Sequence, residues 1–252
     1  RIHRLVARRM EDLVRLRTVT PQVACFLEMV VASRLAVLIT GGTRTGKTNF
    51  INVLCGLIDP SERIVVIEDT RELEIPPEDV VYLVKRISGM DGRGEIGQQR
   101  LVANALRMGP DRIIMAEARD KAAFDMLKAA NTGHEGTMAT VHADTAEEAL
   151  DRLEVLAYEA EDARNLSQRS IRRYIAGAFQ YVILLTRVRG STQRKVVEVL
   201  ELPGSLEGEV IRRQLLFVDR GDGKRLIWSG IRPHWGERLR ACGFDFEEVV
   251  SM

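Results

Sequence analysis

The sequence predicts an α/β fold with a mostly parallel sheet and helices on both faces. Apolar runs of strand length alternate with stretches of helical periodicity between residues 35 and 180, which is typical of parallel strands buried on both faces. From residue 181 onward, short runs are separated by turn residues, which predicts a C-terminal appendage of antiparallel strands and a helix. We therefore divide the chain into a helical linker at 1–34, a core at 35–180 and an appendage at 181–252.

The predicted elements follow from periodicity and from turn residues at their ends. The core strands are predicted at 35–40, 63–67, 80–84, 112–115 and 137–141, and the appendage strands at 181–188, 195–202, 210–218 and 225–228. The helices are predicted at 2–16, 21–33, 47–57, 98–108, 122–131, 146–158, 166–179 and 233–241. The second helix starts at Pro21 after Thr20, because proline suits the first helical turn and threonine suits the cap.

Composition narrows the function classes. The 252 residues include 37 Lys and Arg against 36 Asp and Glu, a net charge of +1, so we expect no nucleic-acid partner. The three cysteines are far apart, which fits neither a disulfide framework nor a zinc site. No apolar run is long enough to span a bilayer, so the chain is predicted to be cytoplasmic. Because it begins with Arg rather than Met, we expect an upstream domain in a longer protein.

Residues 41–48 carry the strongest motif. They match G-x-x-x-x-G-K-[ST] between a predicted strand and a predicted helix, the context that gives this pattern its meaning. Glycines let backbone N–H groups surround phosphates, Lys47 reaches the β and γ oxygens, and Thr48 can ligate Mg²⁺. The residues expected to hold the nucleotide are Gly41, Gly42, Thr43, Arg44, Thr45, Gly46, Lys47 and Thr48. The identity of the base stays open.

Acidic residues follow two of the predicted core strands. Glu68 and Asp69 come after 63–67, and Glu117 comes after 112–115. Ligands of open parallel sheets bind at the carboxyl ends of strands, so one acid can hold Mg²⁺ through water while another orients the attacking water. Such acids are also common as helix caps and turn residues. The functional interpretation therefore depends on the phosphate loop beside them.

Basic residues and histidines supply further candidates. The arginines that could neutralise a transferring phosphate are Arg93, Arg100, Arg107 and Arg119, and the alternative for each is an ordinary solvated side chain. His134 and His142 flank the strand predicted at 137–141, so they are too far apart to share a metal. Either histidine could sense the γ-phosphate, or could be a hydrogen-bonded structural residue.

In order along the chain, these segments resemble the type II/type IV secretion ATPase superfamily, whose members carry a Walker A loop, an acidic Asp box, a Walker B box and a histidine box. The corresponding stretches are 41–48, 63–70, 106–120 and 132–143. Residues 91–95 and 229–233 look like the tight-adherence (Tad/Flp) pilus-assembly branch. The absence of a paired C-x-x-C element argues against the type II secretion and pilus-extension branches.

This resemblance implies a RecA-like P-loop NTPase core that hydrolyses ATP with Mg²⁺. Carried over by position, Thr48 and Glu117 would hold Mg²⁺, with Glu117 as the Walker B acid acting through water, and Glu68 would be the candidate base. The choice of base between Glu68 and Glu117 stays open, while Arg119, His134 and His142 complete the catalytic candidates. The family further implies a homohexameric motor beside the inner membrane that works with a platform protein.

Four residues depart from the family pattern. They are Arg44 within the loop, Asn49 in place of a common threonine, Ala116 in place of glycine, and Asp120 where the tight-adherence branch more often has glycine. Arg44 and Ala116, together with the expected upstream domain that lies outside this chain, leave a nucleotide-binding scaffold without turnover as an alternative to the motor. A conjugation-type type IV secretion ATPase is a further alternative, and a nucleic-acid motor is disfavoured by the balanced charge and by only 5% aromatic residues.

Overall fold

The structure is a computed structural model that describes residues 7–76, 78–89, 94–219 and 226–251. Arg93, the turn predicted at 221–223 and the start of the helix predicted at 2–16 lie outside these residues. Within them, no helix is long and apolar enough to cross a membrane.

The strands of the described residues are β1 Val37–Thr40, β2 Ile64–Glu68, β3 Val80–Val84, β4 Arg112–Met115, β5 Met138–Val141, β6 Tyr181–Arg187, β7 Arg194–Glu201, β8 Leu206–Glu207, β9 Val210–Ile211, β10 Gln214–Asp219 and β11 Leu226–Trp228. Nine of them form one sheet in the order β11-β10-β7-β6-β1-β5-β4-β2-β3, and β8 and β9 form a separate two-stranded sheet. Strands β6, β1, β5, β4, β2 and β3 are parallel to one another. The prediction of a mostly parallel sheet is confirmed.

Helices cover both faces of this sheet. They are α1 Met10–Arg15, α2 Pro21–Ala32, α3 Lys47–Cys55, α4 Gln98–Ala105, α5 Ala122–Ala130, α6 Ala146–Tyr158, α7 Gln168–Ala178, α8 Gly236–Ala241 and α9 Phe246–Ser251. One apolar core joins Val37 and Ile39 of β1 to α1, α2, α3, α8 and α9. The other joins Leu38 to α4, α5, α6 and α7. Successive side chains of a strand point to opposite faces, which is why β1 contributes to both cores.

The first predicted helix is shorter than its apolar spacing indicates. Residues 7–9 are not helical, and α1 begins at Met10. The Asp12 carboxylate accepts the backbone N–H groups of Arg8 at 2.9 Å and Arg9 at 3.2 Å. An acidic side chain that takes these amide hydrogens fixes the start of a helix. The prediction over 2–16 is therefore wrong for the described residues that precede Met10.

The C-terminal strands continue the core sheet, whereas the sequence predicts a separate appendage there. β6 pairs in parallel with β1, and β7, β10 and β11 extend the same sheet antiparallel. The boundary predicted at residue 181 thus falls at the start of a strand that belongs to the main sheet. The single strand predicted over 210–218 is instead two strands, β9 and β10, in two different sheets. Sequence reasoning also missed β8 and α9, and α8 begins three residues later than Pro233.

Candidate active site

The phosphate loop connects the end of β1 to the start of α3. Gly41 has φ +151°, and a Cβ there would collide with the carbonyl oxygen of Leu185 in β6. The Thr45 hydroxyl donates to the carbonyl of Gly42 at 2.9 Å and closes the loop on itself. Glycine is therefore required at position 41 by the neighbouring strand as well as by the loop.

Lys47 folds back onto the loop. Its ammonium donates to the carbonyl oxygens of Gly41 at 2.7 Å and Gly42 at 3.0 Å. Partial burial lowers the pKa of Lys47, while the negative charges of Glu117 and Asp144 act in the opposite direction. The ammonium thus lies among carbonyl oxygens, within the field of two carboxylates on its own sheet edge.

Glu117 lies just beyond β4 and takes part in a polar network. Arg119 donates to the Glu117 carboxylate at 2.7 Å and to the Asp69 carboxylate at 3.1 Å. Gln98, at the start of α4, donates to Asp69 at 2.9 Å and to the backbone oxygen of Glu117 at 3.1 Å. The Glu117 hydrogen bond raises the pKa of Arg119. The two predicted acid sites are therefore joined through Arg119 and Gln98.

Asp144 is a site residue that the sequence analysis missed. A Cβ at Gly42 would lie 2.9 Å from its carboxylate oxygen, so Asp144 is directly beside the loop. Its backbone N–H, just before α6, donates to the Glu148 carboxylate at 3.0 Å. Its only sequence signal is its place three residues after β5, because nothing in the sequence shows that β5 borders β1.

Glu68 occupies a different environment from Glu117. It ends β2 with a fully buried side chain, and one carboxylate oxygen accepts the N–H groups of Glu72 at 3.0 Å and Leu73 at 2.9 Å. The other oxygen is buried and makes no hydrogen bond. Burial raises the pKa of Glu68, although the two N–H groups oppose that shift. Glu68 thus shapes the segment that follows β2, and its second carboxylate oxygen lies 3.8 Å from Nε of Arg71.

The remaining candidates lie at opposite edges of the sheet, some where its parallel strands end and others where they begin. His142 is exposed immediately after β5, on the edge that carries the phosphate loop. His134 precedes β5, and Arg107 precedes β4, so both lie toward the opposite edge. Their positions do not bring them to the phosphate loop of the same chain. Arg100 is exposed on α4.

Two more residues that sequence reasoning had not assigned to the site contact the loop or its helix. The Arg194 guanidinium, from β7, donates to the carbonyl of Arg44 at 3.3 Å. Asn49, noted only as a departure from the family, exchanges two hydrogen bonds with the backbone of Ala7, at 2.7 and 3.2 Å. The upstream segment is thereby attached to the first turn of α3. Both contacts span large sequence separations, so no local pattern announces them.

The family described as type II/IV secretion system protein matches residues 1–204. The chain belongs to this family. A putative conjugal transfer protein of Mycobacterium tuberculosis is 36% identical over 203 residues, which cover 81% of this chain and 56% of that protein. The type IV secretion system protein VirB11 of Bartonella quintana is 36% identical over 174 residues, which cover 69% of this chain and 48% of that protein.

A solved structure supports the same family assignment. The VirB11 ATPase of the Brucella suis type IV secretion system is similar with a TM-score of 0.66 and 27% identity, over 77% of this chain and 58% of that one. The RecA-like fold predicted for this type II/IV secretion family member is confirmed. The chain spans about half the length of the curated relatives it matches.

Proposed function

We propose that this chain is the ATP-hydrolysing core of a motor that powers a secretion system. The observation that carries the proposal is the position of Lys47, which is bound to its own loop and influenced by the Glu117 and Asp144 carboxylates. A phosphate chain placed there would meet a lysine, the N–H groups of the loop and the start of α3. Membership in the type II/IV secretion family supports the same proposal.

Lys47, Thr48 and Glu117 have defined tasks in this proposal. On nucleotide binding, Lys47 would exchange the carbonyl oxygens of Gly41 and Gly42 for phosphate oxygens, because an ionised partner makes the stronger hydrogen bond. The Thr48 hydroxyl and the Glu117 carboxylate are oxygen donors of the type that Mg²⁺ prefers, with Glu117 acting through water. When bound, Mg²⁺ neutralises negative charge on the phosphate groups.

Two carboxylates compete for the role of general base. Glu117 is partly exposed near Lys47, but its carboxylate is engaged by Arg119. Glu68 has a raised pKa, and one of its oxygens is held by two amides. Its other oxygen is buried without a hydrogen bond and lies 3.8 Å from Nε of Arg71. A raised pKa suits a residue that must accept a proton. Comparing Glu68→Gln with Glu117→Gln by single-turnover hydrolysis separates the two, because the base variant binds ATP and loses the chemical step.

The motor reading also extends to assembly and partners. We propose a homohexamer beside the inner membrane that works with a platform protein, and Arg100, Arg107, His134 and Arg93 are then candidates for contacts with a neighbouring subunit's nucleotide. The tight-adherence branch is our first assignment, on the motif at 229–233. The relatives from conjugal transfer and type IV secretion favour the conjugation-type branch as the second. Stimulation of hydrolysis by a platform protein from one branch and not the other decides between them.

The decisive experiment is steady-state ATP hydrolysis with Mg²⁺ over a series of protein concentrations. We expect turnover per chain to rise with concentration, because subunits complete one another's sites in an oligomer, and to be lost in Lys47→Ala and Glu117→Gln. Lys195→Ala removes a similar charge from β7 outside the loop and serves as the control. Because the chain spans about half the length of its curated relatives, the series also includes a longer chain that is extended upstream of residue 1.

Tight nucleotide binding without turnover, even in the longer chain, would refute the motor and leave the scaffold. Salt-dependent binding of DNA would instead revive a nucleic-acid motor.

A further inference from the structure

Arg194 lies against the phosphate loop on the side of β6 and β7. A Cβ at Gly46, where φ is +96°, would be 2.8 Å from Cδ and 3.3 Å from Nε of Arg194. The aliphatic stem of Arg194 therefore packs on Gly46, and its Nε donates to the carbonyl of Arg44 at 3.3 Å. The guanidinium is thus held at the outer face of the loop, beside the residue that precedes α3.

A second arginine lies directly opposite Arg194. Arg187 of β6 pairs with Arg194 in the antiparallel register, so the two side chains share one face of the sheet. Arg187 donates to the carbonyl of Ser191 at 2.8 Å. Among the described residues neither arginine forms an ion pair with a carboxylate. Like charges opposite each other are unfavourable in a sheet, and an anion beside them would offset that repulsion.

The strand order shows which part of a nucleotide would meet this pair. β1, which leads into the loop, lies between β5 on one side and β6 on the other. Asp144 and Glu117 follow β5 and β4, whereas Arg194 is on β7, beyond β6. Lys47 and the carboxylates serve the γ-phosphate end, where Mg²⁺ is also held. The phosphate farthest from that end, the α-phosphate, therefore lies toward Arg194.

We infer that Arg194 is a nucleotide-binding residue that contacts the α-phosphate, which is retained in the ADP product. The inference rests on the proposed function and adds a binding group from outside the loop motif. A guanidinium at this position attracts ATP and ADP alike, because both carry the α-phosphate. The hydrogen bond to Arg44 holds the side chain in place before the nucleotide arrives.

The test measures the dissociation constants of ATP and ADP by fluorescence titration of labelled nucleotides. Arg194→Lys keeps the charge and a donor for the Arg44 carbonyl, and Arg194→Gln keeps a donor without the charge. We expect Arg194→Gln to weaken the binding of ATP and of ADP by a similar factor, roughly tenfold or more. The affinity of Arg194→Lys should lie between those of the wild type and Arg194→Gln. Lys195→Gln removes the next charge along β7, on the opposite face, and should bind as the wild type does.

The alternatives are distinguishable. Wild-type affinity in Arg194→Gln would overturn the inference, because the contact with the loop would then be structural only. A loss for ATP without a loss for ADP would place the guanidinium at the γ-phosphate and would also overturn it. Urea unfolding of the nucleotide-free variants verifies that each folds, and Arg194→Lys keeps the comparison valid if Arg194→Gln does not. A wild-type chain that binds neither nucleotide would overturn the proposed function itself and this inference with it.

Discussion

The two edges of the parallel sheet, where its strands begin and where they end, differ in how their cations are partnered. At the amino edge, Arg112 is only 1% exposed and donates twice to the Glu62 carboxylate, at 2.8 Å each. Arg34 donates to the same carboxylate at 2.8 Å and to Asp111 at 3.4 Å. These charges are compensated by one another. The amino edge is held by side chains that lie far apart in sequence.

At the carboxyl edge Arg119 is likewise paired with Glu117 and Asp69, but two other cations have no carboxylate partner among the described residues. Lys47 is bound by carbonyl oxygens rather than by a carboxylate, and Arg194 donates to the carbonyl of Arg44. Neutral carbonyls are weaker partners for a cation than phosphate oxygens are. Residue type alone therefore does not distinguish a structural charge from a candidate functional one. The partner that each charged side chain has in the folded chain makes that distinction.

The largest expected effect is on chemistry at the carboxyl edge. Glu117→Gln should lower the turnover number for ATP by about 100-fold or more, since it removes the carboxylate that we propose holds Mg²⁺ or orients the attacking water. Steady-state hydrolysis at saturating ATP measures it. Glu135→Gln, at the amino edge, removes a carboxylate whose partner is Arg238 and should keep turnover within about threefold. Equal losses in both variants would contradict the functional distinction between the edges.

The next effect is on stability at the amino edge. Glu62→Ala leaves the buried Arg112 guanidinium without its carboxylate, and removing one partner of a buried ion pair typically costs about 3–5 kcal/mol. Urea unfolding of the nucleotide-free chain measures this cost. Asp79→Ala breaks the exposed pair between Asp79 and Arg63 and should cost less than about 1 kcal/mol. A similar loss in the free energy of unfolding for the two variants would show that burial of Arg112 does not determine the cost of removing a carboxylate at this edge.

A smaller effect concerns the pH dependence contributed by Glu68. Because burial raises its pKa, the folded chain keeps a proton above the usual carboxyl pKa, where the unfolded chain has released it. Glu68 therefore favours folding below the unfolded pKa, and this contribution is lost as pH rises through the folded value. Glu68→Gln should remove that slope, which is at most about 1.4 kcal/mol per pH unit.

The slope is measured from urea unfolding at several pH values between about 4 and 8, which bracket the usual carboxyl pKa. Glu117→Gln is the control, since it removes a partly exposed carboxylate that ends a neighbouring strand. Parallel pH profiles for the wild type and Glu68→Gln would show that burial of Glu68 is not coupled to folding.

The same comparison explains what the sequence could predict. The parallel core and the loop at 41–48 could be predicted from the sequence, because continuous apolar runs and a glycine motif are local signals. Asp144 and Arg194 were not, because their place beside the loop depends on β5 and β6 bordering β1. The domain boundary was predicted at residue 181 for the same reason, since the sequence does not show that β6 joins the parallel strands.

The shortened first helix has a more local cause. Its apolar periodicity is real, but the hydrogen bonds of the Asp12 carboxylate to Arg8 and Arg9 outweigh it. Likewise, the side chain of Asn49, which departs from the family pattern, holds the backbone of Ala7 through two hydrogen bonds. Side-chain hydrogen bonds to the backbone compete with periodicity and are difficult to read from spacing alone.

The smallest effect concerns Asp120, next to the Glu117 network. Its φ of +50° is a left-handed conformation that glycine adopts without strain. Its carboxylate accepts the N–H of Ala122 at 2.9 Å, so Asp120→Gly relieves strain and loses one hydrogen bond, with a net change below about 1 kcal/mol. Asp120→Ala loses the bond and keeps the strain.

Asp120→Gly should therefore be more stable than Asp120→Ala by about 0.5–1 kcal/mol in urea unfolding, the reverse of their usual order in regular structure. The glycine variant should also keep ATP turnover, because Arg119 still reaches both Glu117 and Asp69. If the alanine variant were the more stable, the left-handed conformation at Asp120 would not be what favours glycine at this position. The departure from the tight-adherence pattern would then need another cause than backbone geometry.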